Sequence, residues 1–162
     1  MSSDKIFNNP VESALRSLVL LVEAYPATLD LQRLVYLDYL LVHSADADGP
    51  SSLHPATPQR DGEIAVRRGL IEQGLHLLLV RGLAERRATP RGFEYAASDI
   101  AGSLIASLEA DYSKELVARA RWVTTAFAQY DLNSLSRFFS ERIGRWDEEF
   151  ALTFSEWEGQ AE

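Results

Sequence analysis

From Leu29 to His43 the sequence LDLQRLVYLDYLLVH leaves no broad polar side: between Leu34 and Val42 only Asp38 is polar. A helix that is apolar nearly all round must be covered by other elements of its domain. The β-branched and aromatic residues would also suit a buried strand. Length, the leucines and the Thr28-Leu29-Asp30 start, a hydroxyl cap followed by an acid, predict a helix instead. Asp38 then needs a buried partner such as an arginine or tyrosine, because an unpaired carboxylate is too costly to bury. The competing reading is a functional carboxylate.

The flanking pattern supplies this helix with neighbours. Asn9-Pro10-Val11-Glu12 opens a helix with a cap, a proline in the first turn and an acid at the capping-box position. Val11, Ala14, Leu15, Leu18, Val19 and Val22 continue it at three- and four-residue spacing until Tyr25-Pro26. After the central helix, the segment SADADGPSSLHPATPQRDG, residues 44–62, holds three of the six prolines and predicts a long irregular connection. A third helix is expected from Glu63 to about Arg81. Its interior Gly69 and Gly74 each cost about 1 kcal/mol relative to alanine, so close approach of a neighbouring helix is expected at both. Two short extended runs, Leu83 to Arg87 and Phe93 to Ala96, flank Thr89-Pro90-Arg91-Gly92, which suits a type I turn. Three helices closed by a hairpin give the order of a winged helix.

Beyond the hairpin, Ser98-Asp99 is expected to cap a helix carrying Leu104, Ile105 and Leu108. After a break at Asp111 to Ser113, a further helix should run from Lys114 to about Tyr130. Asn133 or Ser134 would cap the last one. Phe139, Ile143, Trp146 and Phe150 step by four, three and four, which makes one aromatic stripe opposite Asp147, Glu148 and Glu149. The stripe either closes the domain's own core or docks in a partner's groove. The expected architecture is mainly α: a winged-helix-like domain over residues 7–98, a helical extension packed on it over 99–157, and a tail at 158–162.

Composition narrows the function. A chain of 162 residues with 46% apolar content can bury a substantial core as one domain with an appendage. The formal charge of -8 argues against nucleic-acid affinity over the whole surface. The charge is uneven. Seven arginines face four acids between Arg60 and Arg91, a local +3 that leaves -11 elsewhere, and six acids without a base lie between Trp146 and Glu162. Arg67, Arg68, Arg86, Arg87 and Arg91 are therefore the candidate nucleic-acid contacts, a solvated face being the plainer alternative. There is no cysteine, and no apolar stretch resembles a signal segment or a membrane span, so a cytoplasmic protein is expected.

Candidate chemistry is sparse. Asp46-Ala47-Asp48-Gly49 resembles a calcium loop only briefly, since Pro50 and Ser51 stand where a ligand and the turning glycine belong. His43, Asp46, Asp48 and His54 match no metal-ligand spacing. His76 has no nucleophile or carboxylate in its motif. No glycine-rich phosphate loop, nucleophile elbow or H-E-x-x-H motif is present. No catalytic residue, metal or cofactor is assigned.

Four blocks read together resemble one family: FNNPVES at Phe7 to Ser13, LDLQRLVYLDYLLVHSAD at Leu29 to Asp46, SLHPATPQR at Ser52 to Arg60, and GEIAVRRGLIEQGL at Gly62 to Leu75. GLAERRATPRGFEYAAS, Gly82 to Ser98, continues the pattern more weakly. The likeness covers roughly residues 7–130. It is to the middle component of bacterial ABC-three-component systems, the group that contains Lamassu-type anti-phage defence. The resemblance implies a small non-enzymatic subunit beside a large coiled-coil ATPase, similar to chromosome-maintenance and DNA-repair ATPases, and an effector that is often a nuclease. It implies that DNA is met only through the complex. Phe139, Ile143, Trp146 and Phe150, with His54 from the third block, are the candidate partner contacts. The other function classes are a DNA-binding winged-helix transcriptional regulator, resting on the arginines, and a hydrolase using His43, His54 and nearby aspartates.

Overall fold

The computed structural model describes residues 9–55 and 63–143. In chain order these form α1 (Pro10–Ala24), β1 (Leu29–Asp30), α2 (Leu31–Val42), a 3-10 turn (Ser44–Ala47), α3 (Glu63–Val80), β2 (Ala84–Thr89), β3 (Gly92–Ala97), α4 (Ala101–Ser107), α5 (Asp111–Ala126) and α6 (Leu132–Arg142). The fold is mainly helical with a small antiparallel sheet of order β1-β3-β2.

Burial organises everything around α2. Leu34 to Val42 are all buried, and Leu34, Val35, Tyr36, Leu40, Leu41 and Val42 have no exposed surface. That one helix can be wrapped on all sides because α1, α3, α5 and α6 each present an apolar stripe to it. Leu18, Leu20 and Leu21 come from α1, Ile71 and Leu75 from α3, Leu116, Ala120 and Val123 from α5, and Leu135 and Phe139 from α6. Residues 99–143 thus contribute to the same core as residues 9–55 and 63–98.

Several element boundaries differ from the pattern-based expectation, each for a local reason. Leu29 and Asp30 are extended, not helical, and pair with Tyr95 and Glu94 of β3. Asp30, not Thr28, caps α2 by accepting from the Arg33 N–H at 2.7 Å, while the Thr28 hydroxyl donates to Glu94. Asp131, not Asn133 or Ser134, caps α6, accepting from the Ser134 N–H at 2.7 Å. Helix α5 starts at Asp111, so the predicted break lies one turn earlier, at 108–110. Helix α4 starts after Ile100 without a side-chain cap, although Ser98-Asp99 stood ready for that role. Asn9 caps α1 as its motif predicts, accepting from the Glu12 N–H at 2.9 Å. The hairpin forms where expected, with Thr89 paired to Gly92 across Pro90-Arg91. Gly92 adopts φ +116°, a conformation that favours glycine.

The two glycines of α3 part company. A Cβ on Gly74 would stand 2.7 Å from the Ala14 backbone nitrogen, so glycine there lets α1 and α3 touch backbone to backbone. Gly69 has no described atom within 4 Å of that point, and the expected close approach is absent within the described chain. Among the described residues, no helix is long and apolar enough to cross a membrane.

Candidate functional site

The core encloses a connected set of polar side chains drawn from four helices and the 43–55 segment. Its centre is Asp38, fully buried on α2. Arg16 of α1 donates to it twice, Nε to Oδ1 at 2.7 Å and an Nη to Oδ2 at 3.3 Å, the two-point geometry a guanidinium offers a carboxylate. Arg67 of α3 donates to the same Oδ2 and lies over the Tyr39 ring at 5.4 Å. Arg16 also lies 3.9 Å from Glu12, one turn back on α1. Glu12 in turn accepts from the Tyr112 hydroxyl of α5 at 2.6 Å. His54 Nε2 is 2.9 Å from that hydroxyl oxygen. Since Tyr112 has one proton and gives it to Glu12, His54 must donate through Nε2–H.

Electrostatics follow from this arrangement. Burial alone would raise the Asp38 carboxyl, but the two guanidinium groups outweigh it and hold its pKa below the ordinary value. Burial opposes the charge on Arg16, while the field and hydrogen bonds of Asp38 more than restore it. His43, capping the end of α2, and His54 are both pushed down to about 4, chiefly by burial and further by the nearby arginines. Both imidazoles are therefore neutral at pH 7. Burial and the bond to Glu12 push the Tyr112 phenol up, away from ionisation. Two neutral imidazoles, a reluctant phenol and a carboxylate between two arginines make a clamp joining α1, α2, α3, α5 and the connection. They do not make an activated nucleophile.

The predicted site residues fall in different places. Asp38 is the expected structural acid, with arginines as partners. Arg67 is turned into the core, which removes it from the proposed nucleic-acid cluster. Arg68 is mostly covered and bridges to Glu72 at 3.3 Å, one helical turn on. The hairpin arginines are exposed: Arg86 lies over the Phe93 ring at 4.4 Å, Arg87 pairs with Glu85 at 3.4 Å, and Arg91 sits at the turn. Phe139 is fully buried against Tyr36, with ring centroids 4.7 Å apart, so it is core and not part of a docking stripe. Ile143 is half-buried against the same core. Trp146 and Phe150 lie outside the described residues. His54 is buried on Tyr112, leaving it little surface for a partner.

The aspartates near the histidines in sequence are engaged elsewhere, Asp46 with the Tyr39 hydroxyl at 2.6 Å and Asp48 with Arg142. Among the described residues no group of three or more His, Cys, Asp or Glu could hold a metal ion. Arg16 and Tyr112 were not singled out by the sequence, and Glu12 only as the capping-box acid of α1. The available signal was the requirement of Asp38 for a buried cation, which did not say which cation.

A family model for the ABC-three component (ABC-3C) system Middle Component 2 matches residues 6–149. No curated protein and no solved structure matches the chain. The family match spans the capped α1, the buried α2, the polar clamp, the hairpin and the α5–α6 pair. The chain belongs to the middle component 2 family of ABC-three-component systems, and is thus one component of a multi-component assembly.

Proposed function

We propose that this chain is a non-catalytic, cytoplasmic subunit of a Lamassu-type anti-phage defence complex, linking a coiled-coil SMC/Rad50-like ATPase to a nuclease-type effector. The observation that carries this reading is how the buried polar residues are used. Asp38, Arg16, Arg67, Glu12, Tyr112 and His54 bind one another, which supports a bracing role for them over a catalytic one. A small body braced by buried ion pairs, with an exposed hairpin, suits a part whose task is to hold two larger ones. Three helices followed by a hairpin support a winged-helix-like arrangement, here used for assembly.

A DNA-binding winged-helix regulator is the second reading, favoured by the exposed Arg86, Arg87 and Arg91. Against it stands the third helix, which would be the recognition helix of such a protein: its two arginines are engaged by Asp38 and Glu72. Coexpression with the other two components separates the readings. The subunit reading expects a stable complex in which ATP hydrolysis and DNA cleavage remain with the partners. Magnesium- or manganese-dependent hydrolysis by the purified chain alone, lost in His54→Ala, would overturn it.

A further inference from the structure

We infer that the acidic C-terminal segment, residues 147–162, docks on the arginines of the β2–β3 hairpin of its own chain and competes there with polyanions such as duplex DNA. The contact needs no other component.

The hairpin is the cationic surface that the described fold leaves open. Arg86, Arg87 and Arg91 are exposed on it, and Arg81 is exposed just before it. Of its two acids, Glu94 accepts from the Thr28 hydroxyl at 2.8 Å and Glu85 from Arg87 at 3.4 Å. Arg87 and Glu85 are each more than half exposed, so their pair is worth little and is readily exchanged. Among the described residues no acid bridges to Arg86 or Arg91. Arg86 lies instead over Phe93, whose ring is 54% exposed, so cation and aromatic surface are offered together. β2 is an edge of the sheet, and no described strand covers its outer side. Elsewhere the arginines are largely taken, Arg16 and Arg67 by Asp38, Arg68 by Glu72, Arg121 by Glu23 and Arg142 by Asp48.

The chain itself supplies the occupant. Residues 147–162, outside the described part, carry Asp147, Glu148, Glu149, Glu156, Glu158 and Glu162 with no lysine or arginine among them. Phe150, Phe154 and Trp157 stand between these acids. Carboxylates suit the guanidinium groups, and aromatic rings suit Phe93 and the arginine faces. Sixteen residues extend to about 50 Å, against a radius of gyration of about 15 Å for a compact chain of 162 residues, so the hairpin is within reach. Covalent attachment gives the segment an effective concentration on the order of millimolar there, which favours it over a second copy in dilute solution.

The test uses the full-length protein. It has no cysteine, so a nitroxide on Ser155→Cys reports from one position. Expected is the loss of about half or more of the amide NMR signal at residues 85–93 in about 0.1 M salt. The signal should recover in 1 M salt, where the screening length falls from about 10 Å to 3 Å. No loss at the hairpin, or a loss centred on α5 and α6, overturns the proposal. So does a loss in unlabelled, isotope-enriched chain mixed with labelled chain, which assigns the contact to a second copy. Duplex DNA should restore the hairpin signals, and DNA that shifts them without restoring them overturns the competition. Glu149→Gln, Glu156→Gln and Glu158→Gln together should lower the DNA concentration for half-maximal shift of the hairpin amides about tenfold. Glu109→Gln, Glu115→Gln and Glu141→Gln, exposed acids giving the same change in net charge, should lower it far less. Equal midpoints for the two triple variants would reduce the effect to net charge and overturn the docking.

Discussion

Asp38 is the residue on which the interior depends, because two buried guanidinium groups converge on one carboxylate. Asp38→Ala leaves both cations without their counter-charge, and breaking a buried pair in this way costs about 3–5 kcal/mol. A large fall in melting temperature is expected; an unchanged value would mean that the carboxylate is exposed in solution. The histidines give a second, pH-dependent signature. Their folded pKa values, about 4, lie below the ordinary 6.5, so the unfolded chain takes up protons first as pH falls. Their effect on stability is nil above about pH 6.5 and destabilising between about 6.5 and 4. The limit is roughly 3 kcal/mol per histidine, at 1.36 kcal/mol per pH unit. Denaturant midpoints at pH 7, 6, 5 and 4 should fall accordingly. His54→Gln retains an N–H donor for Tyr112 and should flatten that fall; an unchanged slope would assign the acid sensitivity to other groups.

Helices α1 and α3 meet at Gly74, and their contact tests the packing directly. Gly74→Ala places a methyl group 2.7 Å from the Ala14 nitrogen, a backbone atom that cannot swing aside, so the helices must separate. Overpacking of this kind costs about 1–3 kcal/mol, and thermal melting should show it. A neutral result would mean that the two helices are not in backbone contact. The two glycines looked alike in the sequence, since the pattern of one helix does not say where its neighbours cross. The same limit explains much of what was and was not legible. The position of α2 was legible because an all-round apolar run admits few environments, and the hairpin because Thr89-Pro90-Arg91-Gly92 is local turn chemistry. The start of α2 was not, because Leu29-Asp30 becomes extended only by pairing with β3, a partner more than sixty residues away. The sequence left Phe139 open between core and docking stripe for a similar reason: its burial is set by Tyr36 and Tyr39, on a different helix. Arg16 and Tyr112 lie 22 and 74 positions from Asp38, and no spacing rule links them.

Charge is distributed over the molecule in a way that separates folding from recognition. The cations that looked like one cluster in the sequence are divided by the fold: Arg67 serves the core, Arg68 a helix-surface pair, and Arg86, Arg87 and Arg91 a projecting hairpin. The hairpin arginines lie outside the clamp, so replacing all three with alanine should leave the melting temperature within a few degrees of wild type. The acidic remainder of the chain opposes a polyanion at long range, but at physiological salt the screening length is about 8 Å and the patch can act once DNA is delivered to it. Each arginine that neutralises a phosphate contributes about 0.9 to the slope of log affinity against log salt. The isolated chain is therefore expected to bind duplex DNA weakly and without sequence preference. The assembled complex should lose up to about 2.7 units of salt slope in the triple variant if all three arginines touch phosphate. An unchanged slope would remove the hairpin from the DNA path. Tight, sequence-specific binding by the isolated chain at physiological salt would instead put the regulator reading ahead of the subunit one, because recognition of that kind does not wait for a partner.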